Sequence, residues 1–292
     1  MVNGTAIVNG GPTEAFDLQT GEKLWENEVT LNNQHFHHVL VDGNYIFMAS
    51  DLKGFIGRVE ESRVWKFHAR SGETMWLNRI ERGGYTALSK VDNRIVLTGS
   101  GRMFAGDGNG VKVLDADSGR ELWSTPELNS SGLLGGGYDV PPAMHSNGVL
   151  YFGDTENIYA HRLDDGELIF QQSHSEHGLG SLYGIEMRGN KLYAVGERAV
   201  LTLNRANGAV MTVDSTARID RYERQGDMLV LSRGRGVTQL YHLESETPSP
   251  VVRHGDDRTF FGTFEHAAYV TEEGNAKLSI NSNGQLVRYS FQ

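Results

Sequence analysis

One recurring phrase constrains the fold of this chain more than any other feature. It reads AFDLQTGEKLW at 15–25, KFHARSGETMW at 66–76, VLDADSGRELW at 113–123 and AHRLDDGELIF at 160–170. Each copy runs an apolar or aromatic segment into a small polar pair, a glycine and a second segment. The glycines are Gly21, Gly72, Gly119 and Gly166. Four residues further on stand Trp25, Trp76, Trp123 and Phe170, and three further on stand Leu24, Met75, Leu122 and Ile169. Fainter copies place Gly208 before Met211 and Gly284 before Val287. Between them, YHLESETPSPVV holds the expected place without its glycine.

The local physics is that of a hairpin. A polar residue followed by glycine, between two alternating apolar runs, supplies the positive φ that a tight β-turn needs. A further pair of runs precedes each copy, as in HHVLVDGNYIFMAS at 37–50, LSKVDNRIVLTGS at 88–100 and AMHSNGVLYFGD at 143–154, and KLYAVGE, DMLVLSR and AAYVTEE continue the series. Each unit therefore reads as four short strands, A to D. No long segment has helical period, so the class is all-β. A four-stranded unit repeating every 38 to 51 residues or so is what radial propeller blades require.

The expected architecture is a single domain over 1–292, a seven-bladed β-propeller of four-stranded antiparallel blades. The blades fall at roughly 1–30, 31–80, 81–127, 128–173, 174–214, 215–256 and 257–292. Trp25, Trp76, Trp123 and Phe170 are read as packing between blades. The first blade starts at its second strand, GTAIVNG at 4–10. Either that blade is three-stranded or a strand lies upstream of Met1. The last blade, ending in QLVRYSFQ, is expected to hold four strands.

The phrase apolar-Asp-x-x-[TS]-Gly-x-x-Leu-Trp is carried best by Asp17 to Trp25 and Asp115 to Trp123, and less well by Phe67 to Trp76. It resembles the repeat of the PQQ-type (quinoprotein-like) β-propeller family, including its non-enzymatic BamB-like branch. The resemblance implies an extracytoplasmic protein, in the periplasm or at the cell surface. The quinone enzymes it resembles are larger, eight-bladed and equipped with acidic and amide calcium ligands, a Trp floor under the quinone and sometimes a disulfide of adjacent cysteines. This chain is shorter and has no cysteine. The expectation is therefore no cofactor and no metal.

Composition narrows the field. The absence of cysteine excludes disulfides, thiolate zinc sites and cysteine nucleophiles. A net charge of -10 with no basic run disfavours nucleic acid as a partner. No apolar run approaches the ~18 residues of a membrane span, and no signal-peptide pattern opens the chain. A soluble monomer is expected. The 36 glycines against 6 prolines fit many tight turns.

Propellers bind ligands on their faces, so the loops entering each A strand are the ones to read. Aligning the blades sets His35 opposite Tyr85, followed by Tyr138 with Asp139, Tyr183, Arg218 with Asp220, and Arg258 with Phe261. His37, His38 and His145 lie nearby. As a binding mouth, His37, His38, Asp139, His145, Arg218 and Arg258 would face a protein or an acidic polysaccharide. As a catalytic one, His35, Tyr85, Tyr138 and Tyr183 would serve β-elimination on such a polysaccharide, with His neutralising or abstracting and Tyr acting as acid. His35 and His37 are expected on one strand face and His38 on the other. His174 and His177 belong to a different blade. GRMFAGDGNG at 101–110 lacks the lysine and helix of a phosphate loop and the acidic spacing of a calcium loop. With DLKGFIGRVEES at 51–62 and SSGLLGGGYDVPP at 130–142, which carries Leu133 and Leu134, it reads as a long loop of a contact face. The leading function is a non-catalytic interaction scaffold. The alternative is a polysaccharide lyase.

Overall fold

The computed structural model describes residues 4–9, 13–27, 34–53, 59–81, 85–99, 110–125, 141–233, 237–249, 252–253, 269–270, 276–280 and 286–290. Among the described residues, regular structure is β-strand apart from one 3-10 turn, Ser175–His177. The chain divides into two compact units, Met1–Ser175 and Glu176–Gln292.

The first unit carries four antiparallel sheets in chain order. The first holds Thr5–Asn9, Thr13–Asp17 and Lys23–Asn27, which are strands B, C and D. The second holds Gln34–Asp42, Tyr45–Lys53, Val59–His68 and Thr74–Glu81. The third holds Tyr85–Val91, Arg94–Gly99, Val111–Asp115 and Glu121–Ser124. The fourth holds Met144–Ser146, Val149–Gly153, Asn157–Arg162 and Leu168–Ser173.

The second unit continues the pattern. Its fifth sheet holds Leu182–Arg188, Lys191–Gly196, Ala199–Asn204 and Val210–Ser215. The sixth holds Arg221–Gln225, Met228–Arg233 and Val237–His242, with Thr247–Pro248 and Val252–Arg253 both pairing the last of these. Three strands of the seventh are described, Tyr269–Val270, Ala276–Ile280 and Leu286–Ser290. One expectation needs correction. Residues 51–62 are largely ladder rather than loop, with Asp51 opposite Ser62, Leu52 opposite Glu61 and Lys53 opposite Val59.

The repeated glycine closes the C–D turn in the first five sheets. The N–H of Gly21, Gly72, Gly119, Gly166 and Gly208 donates to the carbonyl four residues earlier, and each glycine has positive φ. The copy without glycine keeps the turn. Glu246 N–H donates to His242 O, and Glu246 itself adopts φ +53. A carboxylate often caps the turn. Asp17 Oδ1 accepts from the N–H of Gln19 and Thr20, and Asp115 Oδ1 accepts from Asp117 N–H, Ser118 N–H and the Ser118 hydroxyl. These bonds hold both carboxyls below their ordinary value.

After the turn, strand D carries one extra residue. Ala15 faces Trp25 while Phe16 faces Lys23, and the same shift recurs before Trp76, Trp123, Phe170 and Thr212. The bulged residues are Leu24, Met75, Leu122, Ile169 and Met211, and the last four are exposed. A bulge of this kind lets the aromatic turn inward while its apolar neighbour faces out.

In the first unit each inward indole seats on the next sheet. A Cβ on Gly72 would lie 2.6 Å from Trp25, one on Gly119 2.5 Å from Trp76, and one on Gly166 2.7 Å from Trp123. The indole N–H groups of Trp25, Trp76 and Trp123 donate to Ala69 O, Ala116 O and Leu163 O at 2.8, 3.1 and 2.7 Å. Around them, three apolar clusters join successive sheets, centred on Phe67 and Trp65, on Phe47 and Leu114, and on Phe152 and Trp123. Val39 and Val41 share a sheet face with the buried Ile46 and Met48, which pack on Ile7 and Trp25, yet both valines are exposed. The first sheet has no described strand at the place that would cover them.

Candidate functional site

A–B and C–D turns share one end of each sheet. Ala69 N–H bonds Asn44 O, Ala116 N–H bonds Asn93 O, Leu163 N–H bonds Gly148 O and Arg205 N–H bonds Asn190 O. D–A connections and B–C turns take the opposite end, where the sequence places its candidates. In the first unit the turn ends carry the ion pairs Lys90–Asp42, Arg94–Asp164 and Arg162–Asp165, and in the second the turn ends carry Arg188–Asp227. Such pairs contribute on the order of 0–1 kcal/mol each.

A second bulge, at the start of strand A, resets the alignment of the candidates. Phe36 faces Ser50 while His38 faces Ala49. Tyr85 faces Gly99 while Ala87 faces Thr98, and Leu182 faces Gly196 while Gly184 faces Val195. The extra residues are His37, Thr86 and Tyr183. The true counterpart of Tyr183 is therefore His37, not His35, and Tyr85 matches Phe36 and Leu182. With His37 bulged, simple alternation no longer puts His35 and His37 on one face. Tyr85 is buried in the cluster with Phe47 and Leu97 rather than at an open mouth.

His145 is also displaced from its expected place. Its Nε2 accepts from Gly148 N–H at 3.2 Å, so it braces the A–B turn at the opposite end of the fourth sheet. Tyr138, Asp139, Arg258, Phe261, Leu133, Leu134 and the loop 101–109 lie outside the described residues, and the side chains of His35, His37 and His38 are likewise outside them. Among the described residues, no group of three His, Asp or Glu side chains is placed to hold a metal ion.

Two of the candidates do come together. In the second unit, Tyr183 and Arg218 flank Glu197, which follows strand B of the fifth sheet. The Tyr183 hydroxyl donates to Ile219 O at 3.1 Å. Burial, reinforced by the nearby Glu197 and Asp220 charges, raises the phenol above its ordinary value. Arg218 pairs with Glu197 through Nε, and Arg198 Nε lies 4.0 Å from the same oxygen, Oε1. More than half of each arginine side chain is exposed, 58% and 63%, against 15% for Glu197.

The backbone beneath these charges is fastened on every side. Glu197 N–H bonds Ser181 O, Arg198 N–H bonds Leu179 O, Thr216 N–H bonds Arg198 O and Ile219 N–H bonds Glu197 O. Ala217 N–H bonds Gln239 Oε1, and Asp220 N–H bonds Ser232 O. Gly180, at φ +74, leaves the room that Glu197 fills, since a Cβ there would lie 2.9 Å from Glu197 Cβ. Tyr183 and Arg218 were legible in the sequence. Arg198 was not, because it sits in a B–C turn of the fifth sheet; the paired charges of Glu197 and Arg198 directly after KLYAVG were the available signal.

At the same end of the fourth sheet, His174 is fully buried and its Nε2–H donates to Asp154 O at 2.9 Å. Asp154 Oδ1 accepts from the N–H of Glu156 and Asn157, and Oδ2 accepts from the Tyr159 hydroxyl. Burial holds the His174 imidazole below its ordinary value, hence neutral near pH 7. This is a structural knot that ties the B–C turn to the D–A connection.

Comparison with known proteins bears on the fold. The family model described as "Outer membrane protein assembly factor BamB" matches residues 107–220. The chain is similar to the outer membrane protein assembly factor BamB of Yersinia pestis, at 28% identity over 185 residues, 58% of this chain and 40% of that protein. It thus spans well under two thirds of that curated relative. Among solved structures, BamB from Moraxella catarrhalis superposes with a TM-score of 0.61 at 14% identity, over 98% of this chain and 81% of the other. A europium-containing methanol dehydrogenase gives 0.62 at 11% identity, over 98% and 71%. At such identities the solved structures speak for the propeller fold alone.

Proposed function

We propose that this chain, similar to the BamB assembly factors over part of its length, is a non-catalytic interaction scaffold of the BamB kind, acting outside the cytoplasm in outer-membrane protein assembly. In this reading the seven described sheets are the blades of one propeller domain and the protein works as a monomer. The end bearing the D–A connections faces a protein partner. The observation that carries the proposal is the fastened platform around Glu197. Its loop 216–220 is pinned by backbone and side-chain bonds, while Arg198 and Arg218 stay exposed on top of it. Rigid loops presenting charge lose little entropy on binding, which suits a docking surface. Tyr85, one of the three tyrosines of the lyase reading, is buried in packing.

Photo-crosslinking tests this. A crosslinking residue in place of Arg218 should capture a protein in cells, whereas one in place of Asp165, at the turn end, should not. Equal capture from both ends would defeat the proposal. So would release of unsaturated products from an acidic polysaccharide that is lost on Tyr183→Phe.

A further inference from the structure

We infer that Arg198 and Arg218 form an anion-reading pair that takes an acidic peptide segment of the protein partner. This deepens the scaffold reading and rests on it. Three features of the pair point this way. Both guanidinium Nε atoms lie within 4.0 Å of one carboxylate oxygen, Glu197 Oε1, with Arg218 in close contact and Arg198 at that limit, so a single shielded acid draws both toward it. Two largely exposed guanidiniums stand here beside the shielded Glu197, with Asp220 the other acid near Tyr183. Guanidinium is a planar fork of donors, and an arginine held along its Nε edge keeps other donors for an incoming carboxylate.

The surroundings restrict the ligand further. The Arg218 backbone lies between Ala217, whose N–H donates to Gln239 Oε1, and Ile219, whose N–H donates to Glu197 O and whose O accepts from the Tyr183 hydroxyl. A site fixed in this way binds without first ordering its loop. The chain is acidic overall, with net charge -10, and at the turn ends the lysine and arginine side chains named above are each paired with an aspartate. The Arg198 and Arg218 side chains are each more than half exposed, which is where an acidic partner would meet donors. An extended peptide with carboxylates on alternate residues fits two adjacent guanidiniums better than an isolated small anion does.

The test uses the whole chain and a short fluorescent peptide alternating Glu and Gly. A matched Gln peptide and an oligogalacturonate of equal charge serve as comparators, read by anisotropy at low and physiological salt. Wild type should bind the Glu peptide and ignore the Gln peptide. Arg198→Ala with Arg218→Ala should weaken binding by about tenfold or more. Arg218→Lys should fall between, because an ammonium is a point charge and cannot serve Glu197 and a ligand along two edges. Arg162→Ala, at the turn end, should bind as wild type does. Melting curves establish that each variant is folded, and Arg198→Ala alone leaves the Arg218–Glu197 pair intact should the double variant unfold. Unchanged binding by the variants, equal loss in Arg162→Ala, no binding by wild type, or tighter binding of the oligogalacturonate would each overturn the inference. Crosslinks from position 218 without peptide binding would leave the scaffold standing and remove the arginine pair. Peptide binding without crosslinks would do the reverse.

Discussion

The two units solve one packing problem with different side chains. In the first, an indole from strand D lies on the glycine of the next sheet and donates to the carbonyl just past its strand C, at Ala69, Ala116 and Leu163. In the second, the strand D position holds Thr212, and the corresponding carbonyl, Leu243 O, is reached by the Tyr193 hydroxyl from strand B at 2.7 Å. Two more phenols bridge the fifth and sixth sheets, bonding carboxylates instead of a carbonyl. Tyr222 donates to Glu186 and Tyr241 to Asp214, and burial raises all three phenols above their ordinary value. What persists through the degenerate repeat is the need to satisfy a carbonyl trapped between two sheets. The residue that does so is free to change.

That comparison breaks first at the glycines. Gly119 has φ +70 and would place a Cβ 2.5 Å from the Trp76 ring, so Gly119→Val combines backbone strain with overpacking. A loss of about 3–5 kcal/mol in denaturant unfolding is expected. A loss under about 1 kcal/mol would mean that the indole–glycine contact is dispensable. Trp123→Ala empties a buried site and should cost about 3–4 kcal/mol, whereas Trp123→Phe should lose mainly the bond to Leu163 O, about 1–2 kcal/mol.

In the second unit the expected effects are smaller. Tyr193→Phe keeps the ring and strands Leu243 O, which should cost about 1–2 kcal/mol. If the cost matched that of Trp123→Ala, the phenol would be an anchor in its own right rather than a substitute donor. Glu246→Gly sharpens the point further. It relieves the positive φ of a non-glycine residue but gives up the ion pair with Lys191, so stability should change by no more than about 1 kcal/mol either way. A large loss would show that the ion pair, not the turn, holds this copy together.

Acid should touch the turns last. Asp17 and Asp115 are lowered from 3.8 by turn hydrogen bonds. A carboxyl lowered in the folded state contributes stability above its unfolded value and loses it as pH falls through its folded value. Melting temperature should therefore drop between about pH 5 and about pH 2, less steeply in Asp115→Asn. Identical slopes would deny the Asp115 cap a measurable part.

Much of the fold was legible because turn chemistry is local. Positive φ after a polar residue needs glycine, and the glycine spacing located the strands C and D of the fourth and fifth sheets as it did in the second and third. The candidate site was read only in part. A strand has period two, so one bulged residue at His37, Thr86 or Tyr183 shifts every neighbour, and no residue type announces such a bulge. Tyr85 and Tyr183 look alike in a row of letters, yet one is core and the other braces a charged loop.

The sequence by itself determined the order of strands, the turn at each repeat and the aromatic that follows it, since each depends on residues within a few positions of one another. Only the tertiary structure decided which oxygen each aromatic meets, that Glu246 holds the conformation of an absent glycine, and that Arg198 and Arg218 share Glu197. Those outcomes depend on how separate sheets and turns are brought together across the fold, and local pattern carries no record of that.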